Sequence, residues 1–443
     1  MRVQVYLETY GCQMNEYDSE LVRTILHDGS FRMTPTLDDA DVVLLNTCAI
    51  RESAHDRIYG RLGHLRALKQ RNPRLIVGLL GCMAQNLKQE LLATHPVIDL
   101  VAGPDSYKRL PRLIHAVCDS GNKGLEIDLS EYETYADVFP TRAPGVNAWI
   151  ACMRGCDNFC TFCVVPYTRG RERSREPESI VSEARRLAEA GTKQVTLLGQ
   201  NVNSYRFEAT DFAALLLRVA EVDGIERIRF TSPHPKDFPR PLLQAIRSHP
   251  KLCKHIHLPL QAGDDVVLER MRRTYSQREF LDLVDEIRDT IPGVSLSTDV
   301  ICGFPGEDDA AFAATEAVMS RVQFDSAFIF KYSERRNTIA QRKYADDVAE
   351  TVKTERVVRL NALQKEISGS RNRRHIGSTV DVLLEGPSRK NAADLLGRDD
   401  GNRCVVVPGT GLDVGSTIPV QIVAASAHTL IGQPLATMPR STC

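Results

Sequence analysis

The sequence predicts an α/β protein in three parts: an N-terminal open parallel α/β domain, a central partial (βα)6 barrel and a C-terminal small β-barrel. Three observations predict it. Apolar, strand-length runs alternate with helical periodicity over residues 1–117, and the alternation resumes at Asn147; such alternation builds parallel sheets. The second series has six strand candidates, too few for the eight-unit barrel, which usually takes about 250 residues. Beyond residue 376, β-branched runs broken by Gly and Pro have the pattern of a small barrel of the OB-like kind.

In the first part the expected strands are 3–7, 41–45, 75–80 and 99–102, with helices over 19–27, 52–69, 87–93 and 107–117. Residues 119–146 are rich in Gly, acidic residues and Tyr, carry Pro140 and Pro144, and read as a linker. The expected barrel strands are 148–152, 194–198, 227–231, 255–258, 295–301 and 326–330. A helix over 178–190 opens after Pro177 and closes at Gly191, residues that start and stop helices. Further helices fit 276–289 and 309–322. Residues 335–375 hold 11 Lys and Arg against 5 Asp and Glu and form a basic helical extension. Strands over 378–384, 403–407 and 417–423 make the last part. The boundaries are thus 1–118, a linker 119–146, 147–375 and 376–443.

With 56 Lys and Arg against 57 Asp and Glu in 443 residues, the formal net charge is −1. That excludes a strongly basic whole-protein field, so any nucleic-acid surface must be local. No apolar run approaches the ~20 residues that cross a bilayer. The first residues, MRVQVYLETYGC, alternate like a strand and lack a secretory pattern. A cytoplasmic protein with no membrane partner is expected. Twelve cysteines are then unusual: a chain this long builds its own core, and a reducing compartment favours metal-binding or catalytic thiols over disulfides.

Cys156, Cys160 and Cys163 form a C-x3-C-x2-C run directly after the first barrel strand, where such folds place active sites. Three thiolates can hold three irons of a cubane cluster and leave the fourth open to another ligand. Structural zinc wants four ligands in closed pairs, and no fourth Cys or His stands at a useful spacing. Cys152, four residues upstream, falls inside the strand and reads as a packed small hydrophobe.

Cys12, Cys48 and Cys82 each follow an expected strand of the first part by a few residues. Ligands of open α/β sheets bind beyond the carboxyl ends of the strands, so these three either converge on a second cluster or are three buried cysteines. Cys118, Cys253, Cys302, Cys404 and Cys443 share no ligand spacing and read as packing.

Polar groups gather where barrel strands end: Gly199-Gln200-Asn201, His257 and Gln261, Ser297 to Asp299, and the loop Gly303 to Glu307. They suit a polar small-molecule cofactor. Arg169, Arg171, Arg173 and Arg175 alternate just after the cysteine run, as a solvated charged loop or as phosphate contacts.

At these residues the sequence resembles the radical S-adenosylmethionine (SAM) methylthiotransferases over essentially its whole length. The family pairs an N-terminal three-cysteine domain with a C-x3-C-x2-C barrel and a C-terminal TRAM domain, a small RNA-binding β-barrel. Arg154-Gly155-Cys156, Cys163-Val164-Val165-Pro166-Tyr167-Thr168-Arg169-Gly170, Leu198-Gly199-Gln200-Asn201-Val202-Asn203-Ser204-Tyr205 and Gly386-Pro387-Ser388-Arg389-Lys390-Asn391 resemble its tRNA-modifying branch. One departure is local: the fifth-strand loop places Cys302 where an aliphatic or small residue is expected, and its acid, Glu307, one place beyond the general spacing.

The resemblance implies two [4Fe-4S] clusters. The first, on Cys156, Cys160 and Cys163, binds SAM at its open iron and releases a 5′-deoxyadenosyl radical. The second, on Cys12, Cys48 and Cys82, is the sulfur site, where a second SAM methylates sulfur before transfer. Gly199, Gln200, Asn201, Gln261 and Asp299 are the expected SAM contacts, and Arg389 and Lys390 the expected RNA contacts. The implied reaction is methylthiolation of carbon 2 of isopentenyladenosine next to the anticodon in tRNA. It requires an electron donor such as flavodoxin or ferredoxin, and a sulfur donor. Related branches act on threonylcarbamoyladenosine in tRNA or on a ribosomal-protein aspartate; Gln200-Asn201 and Arg389-Lys390 favour isopentenyl-tRNA. A non-enzymatic, zinc-bearing RNA-binding protein is the third reading, which the cysteine layout opposes.

Overall fold

The computed structural model describes residues 3–49 and 52–435; Cys443 lies outside them. Six strands, β1 (Gln4–Thr9), β2 (Arg32–Met33), β3 (Val42–Thr47), β4 (Ile76–Leu80), β5 (Leu100–Ala102) and β6 (Gly124–Glu126), make one parallel sheet in the order β2-β1-β3-β4-β5-β6. β3 and β4 read VVLLNT and IVGLL and are buried at every residue, as parallel strands covered on both faces are. Helix α1 (Gln13–Asp28) follows β1 and buries Tyr17, Leu21, Val22 and Leu26 against the sheet core.

The segment expected as a linker is built into this domain. It supplies β6, and Tyr135 is fully buried, donating to the Pro104 carbonyl (2.8 Å) and accepting from the Tyr107 amide (3.1 Å). A three-residue strand is too short to show periodicity in the sequence.

The central part has two parallel three-stranded sheets. Asn147–Ala151, Gln194–Leu198 and Arg227–Phe230 form one; His255–His257, Ser295–Cys302 and Ser326–Lys331 form the other. A parallel bridge between Ile228 and Leu252 links them in chain order. One face, including Ile150, Val195, Leu197, Ile228, Ile256, Leu296 and Val300, joins the main core under the helices Pro177–Glu189, Phe212–Ala220, Gln277–Thr290 and Asp309–Val322. The alternate residues Thr196, Arg229, His257, Ser297, Asp299 and Phe328 take the other face, as the two-residue period of a strand requires.

The basic extension contains the helix Glu350–Arg373, four of whose cations pair with acids. Lys353 pairs with Asp346, Arg356 with Glu307 and Asp309 (2.9 Å each), Arg359 with Glu316 and Arg371 with Asp325. The local excess is thus matched only in part: Arg336, Arg342, Lys343, Lys365, Arg373 and Arg374 remain exposed, Arg336 paired with Glu90 of the first domain.

The C-terminal strands Thr379–Pro387, Asp394–Arg398, Cys404–Pro408, Leu430–Pro434 and Thr417–Ala425 close into a barrel in that spatial order. It seats on the starting ends of the central strands. Arg227 donates to the Asp381 carbonyl (2.8 Å), Arg229 to the Asp399 (2.7 Å) and Asp400 (3.0 Å) carbonyls, and Arg403 to Asp325 (3.1 Å). The cysteine run lies at the opposite ends of those strands. Among the described residues, no helix is long and apolar enough to cross a membrane.

Candidate active site

The three cysteines of the first domain are delivered by the ends of β1, β3 and β4. Cys12 is the N-cap residue of α1, Cys48 follows β3, and Cys82 lies in the first turn of the helix Gly81–Leu87 after β4. Buried amides tie these ends together. Cys12 donates to Asn15 Oδ1 (3.3 Å), Asn15 Nδ2 donates to the Thr47 carbonyl (3.1 Å), and Asn46 Nδ2 donates to the Asn15 carbonyl (2.9 Å). Thr47 donates to the Leu80 carbonyl (2.6 Å). Gly81 has φ +87°, and a Cβ there would overlap Asn46 Oδ1 and the Thr47 carbonyl, so only glycine lets β3 and β4 end this close. The hydrogen bond from Cys48 lowers the Cys12 thiol to about 6 despite burial, and the charge of Arg169 adds to the effect. Burial raises the Cys82 thiol, with Arg169 opposing.

Cys156, Cys160 and Cys163 lie in the loop beyond the short strand Met153–Arg154. Gly155 has φ +80° and its missing Cβ would overlap the Arg171 carbonyl, so the loop folds directly onto its own return. Its amide donates to Gln200 Oε1 (2.6 Å), and the Cys156 amide donates to the Gly170 carbonyl (3.2 Å). Arg273, fully buried, donates to Cys160 Sγ (3.4 Å) and Tyr275 Oη (3.0 Å); the Val165 amide donates to Cys163 Sγ (3.4 Å). Burial pushes Cys156 up to about 12 and raises Cys163 as well. Binding iron here must therefore displace thiol protons.

The two cysteine sets meet. Val164, next to Cys163, shares one buried cluster with Cys82 and with Ala49, next to Cys48. The arginine series beyond the run overturns both of its expected readings at three of four positions. Arg169 pairs with Asp18 (2.8 Å), Arg173 with Asp105 (2.7 Å) and Arg175 with Glu183 (2.5 Å), all buried; Arg171 alone is exposed. Acids of the first domain cover Arg169 and Arg173, which a reading of one loop cannot foresee. Asp18 also takes Arg154 (2.7 Å).

Among the described residues no three His, Cys, Asp or Glu side chains close on a single-ion site; a cubane cluster spreads its thiolates more widely than one ion does. The donor chemistry fits such clusters at both places. Three soft thiolates stand at each, and each trio has a buried guanidinium beside it, Arg273 at Cys160 and Arg169 at Cys82. Arg169 Nη1 has no hydrogen-bond partner among the described residues.

The expected cofactor contacts ring the same strand ends. Gly199 passes so close to Met153 that a side chain would overlap it. Gln200 supports the Gly155 turn. Asn201 is buried, donates to Glu172 (3.1 Å) and leaves its Oδ1 without a partner among the described residues. Gln261, at φ +68°, donates its amide to the Asp299 carbonyl (2.8 Å), and the Asp299 side chain accepts from His257 Nε2 (3.1 Å). Cys302 is core, and Glu307 accepts from the Gly303 amide (2.8 Å) and from Arg356, closing its own loop. Arg389 and Lys390 are exposed on the turn after Thr379–Pro387. Asn15, Asp18 and Arg273 were not singled out by the sequence, and Arg154 entered only as part of the Arg154-Gly155-Cys156 motif.

Three family models match in order: Uncharacterized protein family UPF0004 over residues 4–103, the Radical SAM superfamily over 150–317 and the TRAM domain over 373–435. The chain is 46% identical to the tRNA-2-methylthio-N(6)-dimethylallyladenosine synthase of Porphyromonas gingivalis W83, over 98% of this chain and 95% of that one. It is 47% identical to the enzyme of the same name from Chloroherpeton thalassium, over 98% and 96%. The chain belongs to this synthase family. Among solved structures, the radical SAM methyltransferase TsrM from Kitasatospora setae matches with a TM-score of 0.57 at 12% identity, over 77% of each chain. The cobalamin-dependent radical SAM enzyme OxsB matches at 0.53 and 12%, over 83% of this chain and 62% of that one. These two likenesses are of fold. A radical SAM fold implies a [4Fe-4S] cluster and SAM.

Proposed function

We propose that this chain methylthiolates carbon 2 of isopentenyladenosine next to the anticodon in tRNA, by radical SAM chemistry, with two [4Fe-4S] clusters. One observation carries the reading: the buried contact of Val164 with Cys82 and Ala49, which puts the residue after Cys163 against Cys82 and the neighbour of Cys48. A base bound at that junction reaches both. When bound, a cluster and SAM supply a radical route to an adenine C–H that no side-chain base deprotonates usefully.

The chain's own residues orient and enclose. We read the two three-stranded sheets as halves of one open six-stranded barrel. Cys156, Cys160 and Cys163 hold one cluster, and Gln200 fixes the Gly155 turn that aims them. Cys12, Cys48 and Cys82 hold the other, with Asn15 and Asn46 locking the strand ends. Gly199, Asn201, Gln261 and Asp299 line the side on which SAM binds; Asn201 Oδ1 offers it a buried acceptor. Arg389 and Lys390 grip phosphate. An electron donor of the flavodoxin or ferredoxin class and a sulfur donor complete the reaction, and the setting is cytoplasmic.

The test is a reconstituted reaction with SAM, reductant and sulfide, offered isopentenylated tRNA, unmodified tRNA, threonylcarbamoylated tRNA and ribosomes in parallel. Methylthio product on isopentenylated tRNA alone is expected. Product on either of the last two substrates instead assigns the chain to a related branch.

A further inference from the structure

We propose that Arg169 is the cationic partner of the Cys12–Cys48–Cys82 cluster, supplied by the barrel to thiolates that all belong to the first domain, and that it raises that cluster's reduction potential. The inference rests on the two-cluster reading above.

Asp18 is fully buried and its carboxylate takes two guanidiniums, Arg154 on one oxygen (2.7 Å) and Arg169 on the other (2.8 Å). Arginine does not deprotonate in proteins. One carboxylate against two guanidiniums leaves a net positive charge in a place water does not reach. Neighbouring ions do not absorb it: Arg173 and Asp105 already form a pair, as do Arg175 and Glu183. Tyr107 adds only a hydroxyl, 3.5 Å from Asp18. An isolated buried charge is costly unless it is paired, so the surplus calls for an anion.

The direction of the surplus is given by Arg169. Its Nη2 is spent on Asp18, while its buried Nη1 has no hydrogen-bond partner among the described residues; Arg154 Nε and Nη1 lack one too, but that guanidinium lies over the Tyr135 ring, 4.6 Å from its centroid. The segment that carries Arg169 packs Val164 against Cys82, and the Arg169 charge acts on the thiols of Cys82 and Cys12. Three thiolates around a cubane core carry net negative charge, which grows when the core is reduced. A fixed guanidinium next to such a site favours the reduced state and so raises its potential. Arg169 comes from the segment just after Cys163, so the barrel completes a site whose ligands it does not contribute.

The test uses the full chain with Cys156, Cys160 and Cys163 changed to Ala, leaving the N-terminal trio as the cluster site. After anaerobic reconstitution with iron and sulfide, the cluster is titrated by potential and followed by EPR. Arg169→Gln removes a positive charge and should shift the midpoint to more negative potential. Asp18→Asn disturbs the same buried pair but removes a negative charge, and should shift it the other way. Arg169→Lys keeps the charge and should stay near the parent. Structural damage would move the first two variants together; shifts in one direction, or no shift in either, overturn the proposal. If Arg169→Gln does not fold, a raised midpoint in Asp18→Asn with an unchanged one in Arg169→Lys supports it, and any other pattern overturns it. A parent that takes up no iron overturns the two-cluster reading itself; a loaded cluster indifferent to these changes overturns only the role of Arg169.

Discussion

Asp18 joins residues that the chain keeps far apart: Arg154 and Arg169 lie 136 and 151 positions away. Burial alone would raise its carboxyl, but the two guanidiniums hold it below the usual carboxylate range. A carboxylate held low contributes stability above its unfolded value, about 3.9, and loses that contribution as pH falls through the folded value. Cluster-free protein should therefore lose stability in acid below about pH 4, and Asp18→Asn should flatten that acid limb. Asp18→Ala leaves two buried guanidiniums without their anion and should cost about 3–5 kcal/mol, read as a lowered urea midpoint. The cysteine run was legible in the sequence because its spacing is local. Asp18 was not, because α1 presents it as one more polar residue until the barrel arrives. The arginine alternation was visible for the same local reason, and misread because the acids that bury Arg169 and Arg173 belong to the other domain.

At the scale of elements, long strands and helices were legible and short ones were not. The buried runs of β3 and β4 announce themselves; β6 and the strand Asp394–Arg398 are too brief or too broken by Gly to do so. Position along an element decides what Arg389 and Lys390 do. Thr379–Pro387 starts at the barrel, where Asp381 meets Arg227, and carries these two residues to its far end. Both residues therefore lie in the part seated on the starting ends of the central strands, the ends opposite the cysteine run. Replacing both with Ala should flatten the slope of log affinity against log salt for whole tRNA by up to about 1.8 units, at 0.7–0.9 per phosphate contact. Isopentenylated and unmodified tRNA should weaken alike, because phosphate contacts do not read the base. An unchanged slope with whole tRNA, or a loss confined to the isopentenylated form, would remove these residues from the phosphate grip.

For the whole molecule, three parts divide the work by direction. The β-barrel of the C-terminal part closes the starting ends of the central strands through Arg227 and Arg229, while the first domain covers their other ends through Asp18 and Asp105. Both cysteine sets are thereby shut into one interface, which no single domain's sequence displays. The proposed reaction requires each set to have its own cluster and its own task. The most direct measurement is iron content, 5′-deoxyadenosine release and methylthio transfer in the protein with Cys12, Cys48 and Cys82 changed to Ala. It should lose about half its iron, one cluster of two, and still cleave SAM under reductant, yet transfer no methylthio group to isopentenylated tRNA. Full iron content, or methylthiolated tRNA from that variant, would contradict the account.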